Sequence, residues 1–224
     1  FRVSHNANHH RYRHGPRDVA RTYRFAGGDT NSLMGYLLHP CQVARVLYPL
    51  FWRHLRRLRR GCPAEFRAIG ACYGLVMVLW LVAASLSPAK ALLYLVLPQL
   101  IALHWLLGAN YLQHAHADGL SRWNYARNFE GAVVNRLYFN IGLHTAHHEH
   151  PGLHWSRLPV AHAALRARIH PQLLEPGLLR YVARVYLGSL VRPRWRSRSL
   201  QAPLVSWLPC PVALPSSSAA PPSA

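Results

Sequence analysis

Two long apolar segments without a charged side chain dominate this sequence. Residues 68–89 and 91–117 contain no Asp, Glu, Lys or Arg. Each holds about 20 mostly apolar residues, and a helix of that length, rising 1.5 Å per residue, crosses a ~30 Å hydrocarbon core. A short link at 87–90 separates the two apolar cores. The pattern predicts a transmembrane hairpin with helices at about 68–87 and 91–112, and the alternative is a pair of buried helices in a large soluble core.

The basic side chains predict how this hairpin is oriented. The chain has 224 residues, with 26 Lys and Arg against 7 Asp and Glu, a formal net charge of +19. Thirteen Arg precede residue 68 and twelve follow residue 121, whereas the only lysine, Lys90, lies in the link. Because cytoplasmic flanks attract Lys and Arg, we expect an integral, multi-pass membrane protein with both flanks cytoplasmic. Nucleic acid is not an expected partner, because no recognised nucleic-acid motif accompanies the arginines.

Composition limits the metal chemistry that the chain could carry. Seven carboxylates and no Glu-x-x-His cannot build a carboxylate-bridged di-metal bundle. The four cysteines form no C-x-x-C pair, so neither a disulfide framework nor a thiolate zinc site is indicated. Any metal site must therefore rest on imidazole, and the chain has 16 histidines.

Six of these histidines form two compact clusters, one on each side of the hairpin. The first has the pattern H-x-x-x-H-H and the second H-x-x-H-H: His5, His9 and His10, then His144, His147 and His148. On a helix, residues at i, i+3 and i+4 share one face, so each cluster presents several imidazoles together. The hairpin returns the chain to the side it left, which places both clusters on the same side of the membrane. Facing clusters of this kind can enclose two metal ions, and imidazole suits Fe, Zn and Cu alike.

A polar pair lies at the end of the second apolar segment. Asn110 and His114 are spaced i, i+4, so they share a helix face at a depth where polar groups are costly unless they serve a site. We interpret His114 as a ligand, whereas for Asn110 a site role and a structural role remain equally open. His104, deeper in the segment, is expected to be a hydrogen-bonded interhelical histidine.

The remaining segments complete an all-α architecture of one transmembrane hairpin with cytoplasmic helices that carry the histidines. Residues 40–60 alternate apolar side chains and arginines at helical spacing, which is typical of a helix in the interface plane. We assign residues 1–170 to one domain and 171–192 to a cytoplasmic helix. Residues 193–224, rich in Pro, Ser and Ala, are predicted to be a disordered tail.

At this point the residues resemble a known family. The two histidine boxes flanking a two-span hairpin are similar to the second and third boxes of membrane fatty acid desaturases. The segments NYLQHAHADG, residues 110–119, and NIGLHTAHHEHPGLHWSRLP, residues 140–159, also resemble segments of that family. The resemblance covers residues 1 to about 165. It implies a non-haem di-iron centre, O2 as oxidant and an acyl chain as substrate.

The resemblance also implies roles for individual residues. His5, His9 and His10 match the second box, His144, His147 and His148 match the third, His114 matches a further ligand, and Asn110 matches a residue that holds a metal-bound water. Around these ligands, Asp18 and Asp118 are the plausible hydrogen-bond partners, ahead of His14, His116, His150 and His154. The family's first box, H-x-x-x-H, and an earlier pair of spans have no counterpart here. We therefore expect a C-terminal portion of a longer protein that is inactive by itself.

The function implied is O2-dependent desaturation of fatty acyl chains in lipid metabolism. The expected partners are a membrane lipid or acyl substrate and an electron donor such as a ferredoxin or a cytochrome b5-type protein. A hydroxylase or ketolase of the same scaffold, acting on alkanes, sterols or carotenoids, is the close alternative. A non-catalytic haem or metal carrier and an inactive fragment are the others; haem is disfavoured because only His104 lies within the bilayer.

Overall fold

The structure, a computed structural model, describes residues 4–22 and 31–201. This part of the chain is mostly helical, as predicted. In chain order the α-helices are α1 (His10–Tyr12), α2 (Leu33–Gly61), α3 (Pro63–Leu86), α4 (Pro88–Ala91), α5 (Leu97–His114), α6 (Ala132–Leu137), α7 (His144–Glu149), α8 (Leu158–Leu165), α9 (Leu178–Val182) and α10 (Ser189–Val191). Three π-helical segments adjoin them, at His5–His9, Leu92–Val96 and Ala183–Gly188. Four 3-10 turns lie at Trp155–Arg157, Arg166–Arg168, Pro171–Leu173 and Pro193–Trp195.

One short parallel ladder departs from the all-α prediction. Strands β1 (Asn128–Phe129) and β2 (Leu174–Glu175) pair with Asn128 opposite Leu174. Strands of two residues carry no alternating apolar pattern, so periodicity could not have indicated them. The ladder joins the segment before α6 to the segment before α9.

The two apolar segments form helices long enough to cross a membrane. These are α3 and the continuous helix Pro88–His114, which runs from α4 through a π-helical segment into α5. Helix α3 has no buried residue. A core helix of a soluble protein would bury its apolar side chains, so the soluble-core alternative is not supported. Both helices extend beyond the predicted 68–87 and 91–112, because α3 includes Glu65 and Arg67 in its first turns and α5 continues to His114.

Helix α2 packs against α5 and begins well before the predicted segment 40–60. Ser32 caps its first turn, since Ser32 Oγ accepts a hydrogen bond from a backbone N–H at 3.0 Å. Val43, Leu50 and Leu58 are its buried apolar residues. The remaining apolar positions of this helix are exposed or half-buried.

Glycine at position 108 lets α2 and α5 approach closely. A Cβ at Gly108 would lie 2.7 Å from the Tyr36 ring, closer than side-chain atoms pack. Helices α2 and α5 therefore pack closely at Gly108, two residues before Asn110.

Two small apolar cores lie beyond the end of α5. The first contains Tyr111, Leu112, Ala115, Phe129, Val134, Tyr181, Val185 and Tyr186. The second contains Ala117, Leu143, Ala146, Leu158, Leu165, Ile169 and Leu173. Because both include residues next to His114 or within α7, packing around the cores positions the histidines.

The segment predicted as a disordered tail begins with ordered residues. Residues 193–195 form a 3-10 turn, Asn31 Nδ2 donates a hydrogen bond to Ser197 Oγ at 2.8 Å, and Leu200 packs against the second apolar core. Composition does not indicate this order in residues 193–201, because the residues that they contact lie in distant parts of the chain. Residues 202–224 lie outside the described residues.

Candidate metal centre

The first histidine cluster lies on the π-helical turn His5–His9 and the start of α1. Asn8 holds this turn against the following loop, because Asn8 Oδ1 accepts a hydrogen bond from Val19 N at 2.8 Å. In the same loop, Asp18 is fully buried, and its Oδ2 accepts a hydrogen bond from His9 Nδ1 at 2.7 Å. The loop therefore fixes the direction of the His9 ring.

The second cluster lies on α7 and is held by a buried amide. Asn128 Nδ2 donates to Thr145 Oγ1 at 2.9 Å, and Asn128 Oδ1 accepts from Thr145 N at 3.0 Å. The Tyr125 hydroxyl donates to Glu149 Oε1, at the end of the same helix, at 3.0 Å. Because Thr145 directly follows His144, these hydrogen bonds fix the rotation of α7 about its axis.

The end of α5 brings Asn110 and His114 to the two clusters. His114 is fully buried, and its Nδ1 donates to Tyr125 O at 2.7 Å. Asn110 Nδ2 donates to His9 Nε2 at 3.0 Å. The i, i+4 pair that the sequence places on one face therefore points at the histidines in the structure.

All seven histidines predicted as ligands lie together, in two adjacent groups. In each group the candidate ligand nitrogens lie within 4.8 Å of one another. The inner group consists of four buried imidazoles: His9, His114, His144 and His148. The outer group consists of three half-buried imidazoles: His5, His10 and His147. The groups meet where the ring centroids of His10 and His148 are 4.5 Å apart. Each sequence cluster is thus divided between the two groups.

Hydrogen bonds behind the rings determine which nitrogens face the inner group. A carboxylate and a carbonyl oxygen only accept hydrogen bonds, so His9 and His114 carry their proton on Nδ1 and have an unprotonated Nε2. In His9 this nitrogen accepts the hydrogen bond from Asn110 Nδ2. His144 Nε2 lies 3.0 Å from His114 Nε2 and 3.1 Å from His148 Nε2. Converging imidazole nitrogens of this kind fit a divalent transition metal, whose charge would stabilise the facing lone pairs.

Burial favours the neutral, metal-binding form of His5, His10, His144 and His148. Burial, followed by the neighbouring imidazoles, lowers the pKa of His5 to about 3 and that of His10 to about 4. The same causes hold the pKa of His144 and His148 well below the usual 6.5. Metal binding would therefore displace few protons at neutral pH.

Asp18 supplies the buried negative charge of the centre. Burial by itself raises the pKa of Asp18, but the His9 imidazole and the hydrogen bond from Ala20 N outweigh it and hold the pKa below its usual value. Asp18 Oδ2 also accepts a hydrogen bond from His14 N at 2.7 Å. The structure therefore places Asp18 where the sequence expected a carboxylate partner of a ligand.

Asp118, the second expected carboxylate, has a different role. Its Oδ1 accepts a hydrogen bond from Leu120 N at 3.0 Å, two residues along its own turn. Asp side chains commonly stabilise turns in this way. Among the described hydrogen bonds none joins the Asp118 side chain to a candidate ligand, which differs from the expectation that Asp118 supports the centre.

The four additional histidines have separate environments. His14 is fully buried, and its ring stacks on His114 with centroids 5.0 Å apart. His116 Nδ1 lies 2.5 Å from Ser197 Oγ, away from the two groups. The other two, His150 and His154, are exposed. His14 therefore contacts a candidate ligand.

Two further histidines lie apart from the candidate ligands. His104, expected to be hydrogen-bonded, makes an edge-on ring contact with Tyr36 on α2, at 5.3 Å between centroids, and no side-chain hydrogen bond among the described residues. His162 is buried, and its Nε2 lies 2.9 Å from Glu130 Oε1. Neither residue belongs to the candidate centre.

Sequence reasoning missed a buried histidine on α2. His39 is 1% exposed, and neither of its ring nitrogens has a hydrogen-bond partner among the described residues. Its ring lies against Tyr111, with centroids 5.0 Å apart, and burial lowers its pKa to about 4. The available signal was spacing, since His39 precedes the buried Val43 by one helical turn.

Comparison with known proteins agrees with this geometry. The sequence profile described as "Fatty acid desaturase" matches residues 1–177, which include both histidine clusters, Asn110 and His114. No curated protein and no solved structure matches the chain. A match over most of the chain, together with the histidines gathered beside two membrane-length helices, shows that the chain belongs to the fatty acid desaturase family.

Proposed function

We propose that this protein catalyses O2-dependent desaturation of fatty acyl chains at a histidine-ligated di-iron centre. The observation that carries the proposal is the division of seven imidazoles into two adjacent groups, each compact enough for one metal ion. Membership of a membrane-bound family known for di-iron centres supports iron over zinc or copper. Imidazole alone would not distinguish these metals.

Each histidine group would hold one of the two metal ions, the inner group one ion and the outer group the other. Asn110, whose Oδ1 has no hydrogen-bond partner among the described residues, would hold a water beside the inner position. Neutral imidazoles contribute no negative charge, so the centre would keep a high positive charge and a correspondingly high potential.

When bound, the two iron ions supply the O2 activation needed to break unactivated C–H bonds. In the overall reaction, adjacent methylenes lose two hydrogens, and O2 takes up four electrons, two from the acyl chain and two from an external donor. With two protons from solvent, the oxygen leaves as two waters. We propose a ferredoxin or a cytochrome b5-type protein as the donor and a membrane lipid or other acyl species as the substrate.

The chain's own residues would orient the site and limit its exposure to water. Asp18 and Tyr125 O fix the rings of His9 and His114, while Asn128 fixes α7. Four of the seven imidazoles are buried, which keeps bulk water from the inner position. These residues act by holding geometry and need not themselves transfer a proton.

We further propose a multi-pass membrane placement with both flanks cytoplasmic. The support is the charge distribution, with all 25 Arg outside the charge-free segments 68–89 and 91–117 and Lys90 in the link between them, together with two helices of membrane length. Exposed apolar side chains also precede α7, at Val133, Leu137 and Phe139. These side chains would lie at the acyl boundary beside the centre, where a lipid chain could reach it.

A hydroxylase or ketolase of the same scaffold would use the same histidines. Removal of one hydrogen from a methylene of the substrate leaves a carbon radical. Transfer of a hydroxyl to that carbon gives an alcohol, whereas loss of a hydrogen from the neighbouring carbon gives an alkene. Substrate geometry decides between these outcomes, and product analysis separates them.

The test is metal content and product formation after expression in membranes with iron and a reducing system. Two irons per chain and unsaturated acyl products by mass spectrometry would support the proposal, whereas hydroxylated products would support the alternative. His9→Ala and His148→Ala should each remove iron and turnover, while the exposed His154→Ala should leave both. Box variants that retain iron and activity would overturn the metal-site assignment. Iron binding without products would contradict the proposed activity while leaving the metal-site assignment in place.

A further inference from the structure

A strongly basic cleft lies away from the candidate metal centre, behind the end of α5. It has a volume of about 210 Å³, several times the ~30 Å³ that one water occupies in the liquid. Its walls come from the segment around β2, the π-helical segment after α9, and the ordered residues that follow α10. Its charged side chains are Arg127, Glu175, Arg184, Arg196 and Arg198, and Ser197 adds a hydroxyl.

The cleft carries more positive charge than its own carboxylate can balance. Glu175 Oε1 accepts hydrogen bonds from Arg184 Nη2 at 2.7 Å and from Arg127 Nη1 at 3.4 Å. Arg196 and Arg198 are exposed, and among the described residues neither side chain makes an ion pair or a hydrogen bond. The lining of the cleft therefore includes four arginines and one carboxylate.

Arg127 gives the cleft a rigid wall. Its side chain is 3% exposed, and its guanidinium lies over the Tyr181 ring, with Cζ 4.5 Å from the centroid. Its Nη1 donates to Gln172 O at 2.7 Å and its Nη2 donates to Ala115 O at 3.1 Å. The Nε atom is buried and has no acceptor among the described residues. Because these contacts hold the guanidinium in place, it contributes a fixed positive charge at the wall of the cleft, which favours an anion.

We infer that this cleft binds a phosphate group. Arginine presents planar, forked donors that match phosphate oxygens, and a phosphate dianion would balance most of the excess charge. Ser197 adds a hydroxyl at the cleft wall. The phosphate could belong to a lipid headgroup or to a soluble phosphate compound, and the chemistry of recognition is the same for both. The inference uses none of the seven histidines and is independent of the reaction proposed above.

The cleft is connected to the segment that directly follows His114. Ser197 Oγ lies 2.5 Å from His116 Nδ1, and Leu200 N donates to His116 O at 3.1 Å. Arg127 is bonded to Ala115 O in the same segment. A bound phosphate that orders residues 196–200 would therefore stabilise the end of α5.

The test is phosphate binding by the purified protein in a neutral detergent. Inorganic phosphate and short-chain dihexanoylphosphatidic acid are titrated separately and followed by calorimetry. The cleft variant is Arg196→Ala with Arg198→Ala, two exposed residues whose replacement leaves the apolar cores intact. The matched control is Arg56→Ala with Arg57→Ala, an equal loss of charge from exposed positions on α2.

We expect saturable binding by the unmodified protein and the control, and at least tenfold weaker binding by the cleft variant. Binding of both probes would assign recognition to the phosphate group itself. Binding of the lipid alone would identify a headgroup as the source, and binding of inorganic phosphate alone would identify a soluble source. Absence of saturable binding, or equal weakening in the control, would overturn the inference. Thermal unfolding with and without phosphate provides a second readout, and a stabilisation that the cleft variant loses is the expected result.

Discussion

The buried carboxylate of Asp18 accepts a hydrogen bond from His9 Nδ1 at 2.7 Å, and this bond directs His9 Nε2 into the inner histidine group. The same carboxylate accepts hydrogen bonds from His14 N and Ala20 N. Both carboxylate oxygens therefore accept hydrogen bonds, and Asp18 holds the backbone of its own loop as well as the His9 ring. A carboxylate behind an imidazole ligand fixes the ring and raises its basicity.

Asp18→Asn should weaken metal binding about 10–100-fold, the usual cost of losing such a partner. An amide cannot offer acceptors on both sides, so its NH2 group would face a backbone N–H or the His9 ring. Asp118→Asn is the matched control, because the Asp118 side chain accepts a hydrogen bond only from Leu120 N among the described hydrogen bonds. Iron content and affinity are the measurements, and equal effects of the two substitutions would contradict the assignment.

Thr145→Val should destabilise the protein by about 1–3 kcal/mol, because the buried Asn128 amide would lose its hydroxyl partner. Valine matches threonine in shape, so the change isolates the hydroxyl. Thr145→Ser, which keeps the hydroxyl, should retain most of the hydrogen-bond contribution. Thermal unfolding in detergent measures the difference. A serine variant as unstable as the valine variant would show that packing of the methyl group, and not the hydrogen bond to Asn128, holds α7.

His39 should contribute to a loss of stability in acid. Burial lowers its pKa from 6.5 to about 4, so the folded state binds fewer protons than the unfolded state between these values. Stability is therefore fully present above pH 6.5 and falls as the pH drops towards 4, by up to roughly 3 kcal/mol from this residue. His39→Leu should reduce the decrease in melting temperature between pH 7.5 and pH 5, by comparison with the unmodified protein. His54→Leu on the same helix is the control, and an identical pH response in both variants would argue against the assignment.

Single cysteines at Ser87 and Ser121, in a background without the four native cysteines, test the orientation. An impermeant thiol reagent added outside intact cells should label Ser87→Cys and leave Ser121→Cys unlabelled, because the arginine-rich flanks are retained in the cytoplasm. Permeabilised cells should show labelling at both positions. The reverse pattern in intact cells would place the histidine clusters outside and refute the proposed topology.

Local spacing carried enough information to find the elements of this protein. Charge-free runs of membrane length predicted the helices that end at Leu86 and His114, and the patterns H-x-x-x-H-H and H-x-x-H-H, together with His114 one turn after Asn110, indicated the seven histidines that the structure brings together. These features depend on residues within a few helical turns of one another. The helix beginning at Leu33 and the helical segment from Leu178 to Val191 were likewise visible from periodicity, apart from their ends.

Tertiary packing decided how these elements are combined. The α7 cluster, read from the sequence as one shared face, is divided so that His147 joins His5 and His10 while His144 and His148 join His9 and His114. Packing also selected Asp18 over Asp118 and buried His39. The sequence by itself determined the membrane-length helices and the identity of the candidate ligands, since both follow from short-range periodicity. The grouping of the imidazole nitrogens depends on contacts between residues more than a hundred positions apart, such as Asn110 with His9. These contacts form only when the helices pack against one another.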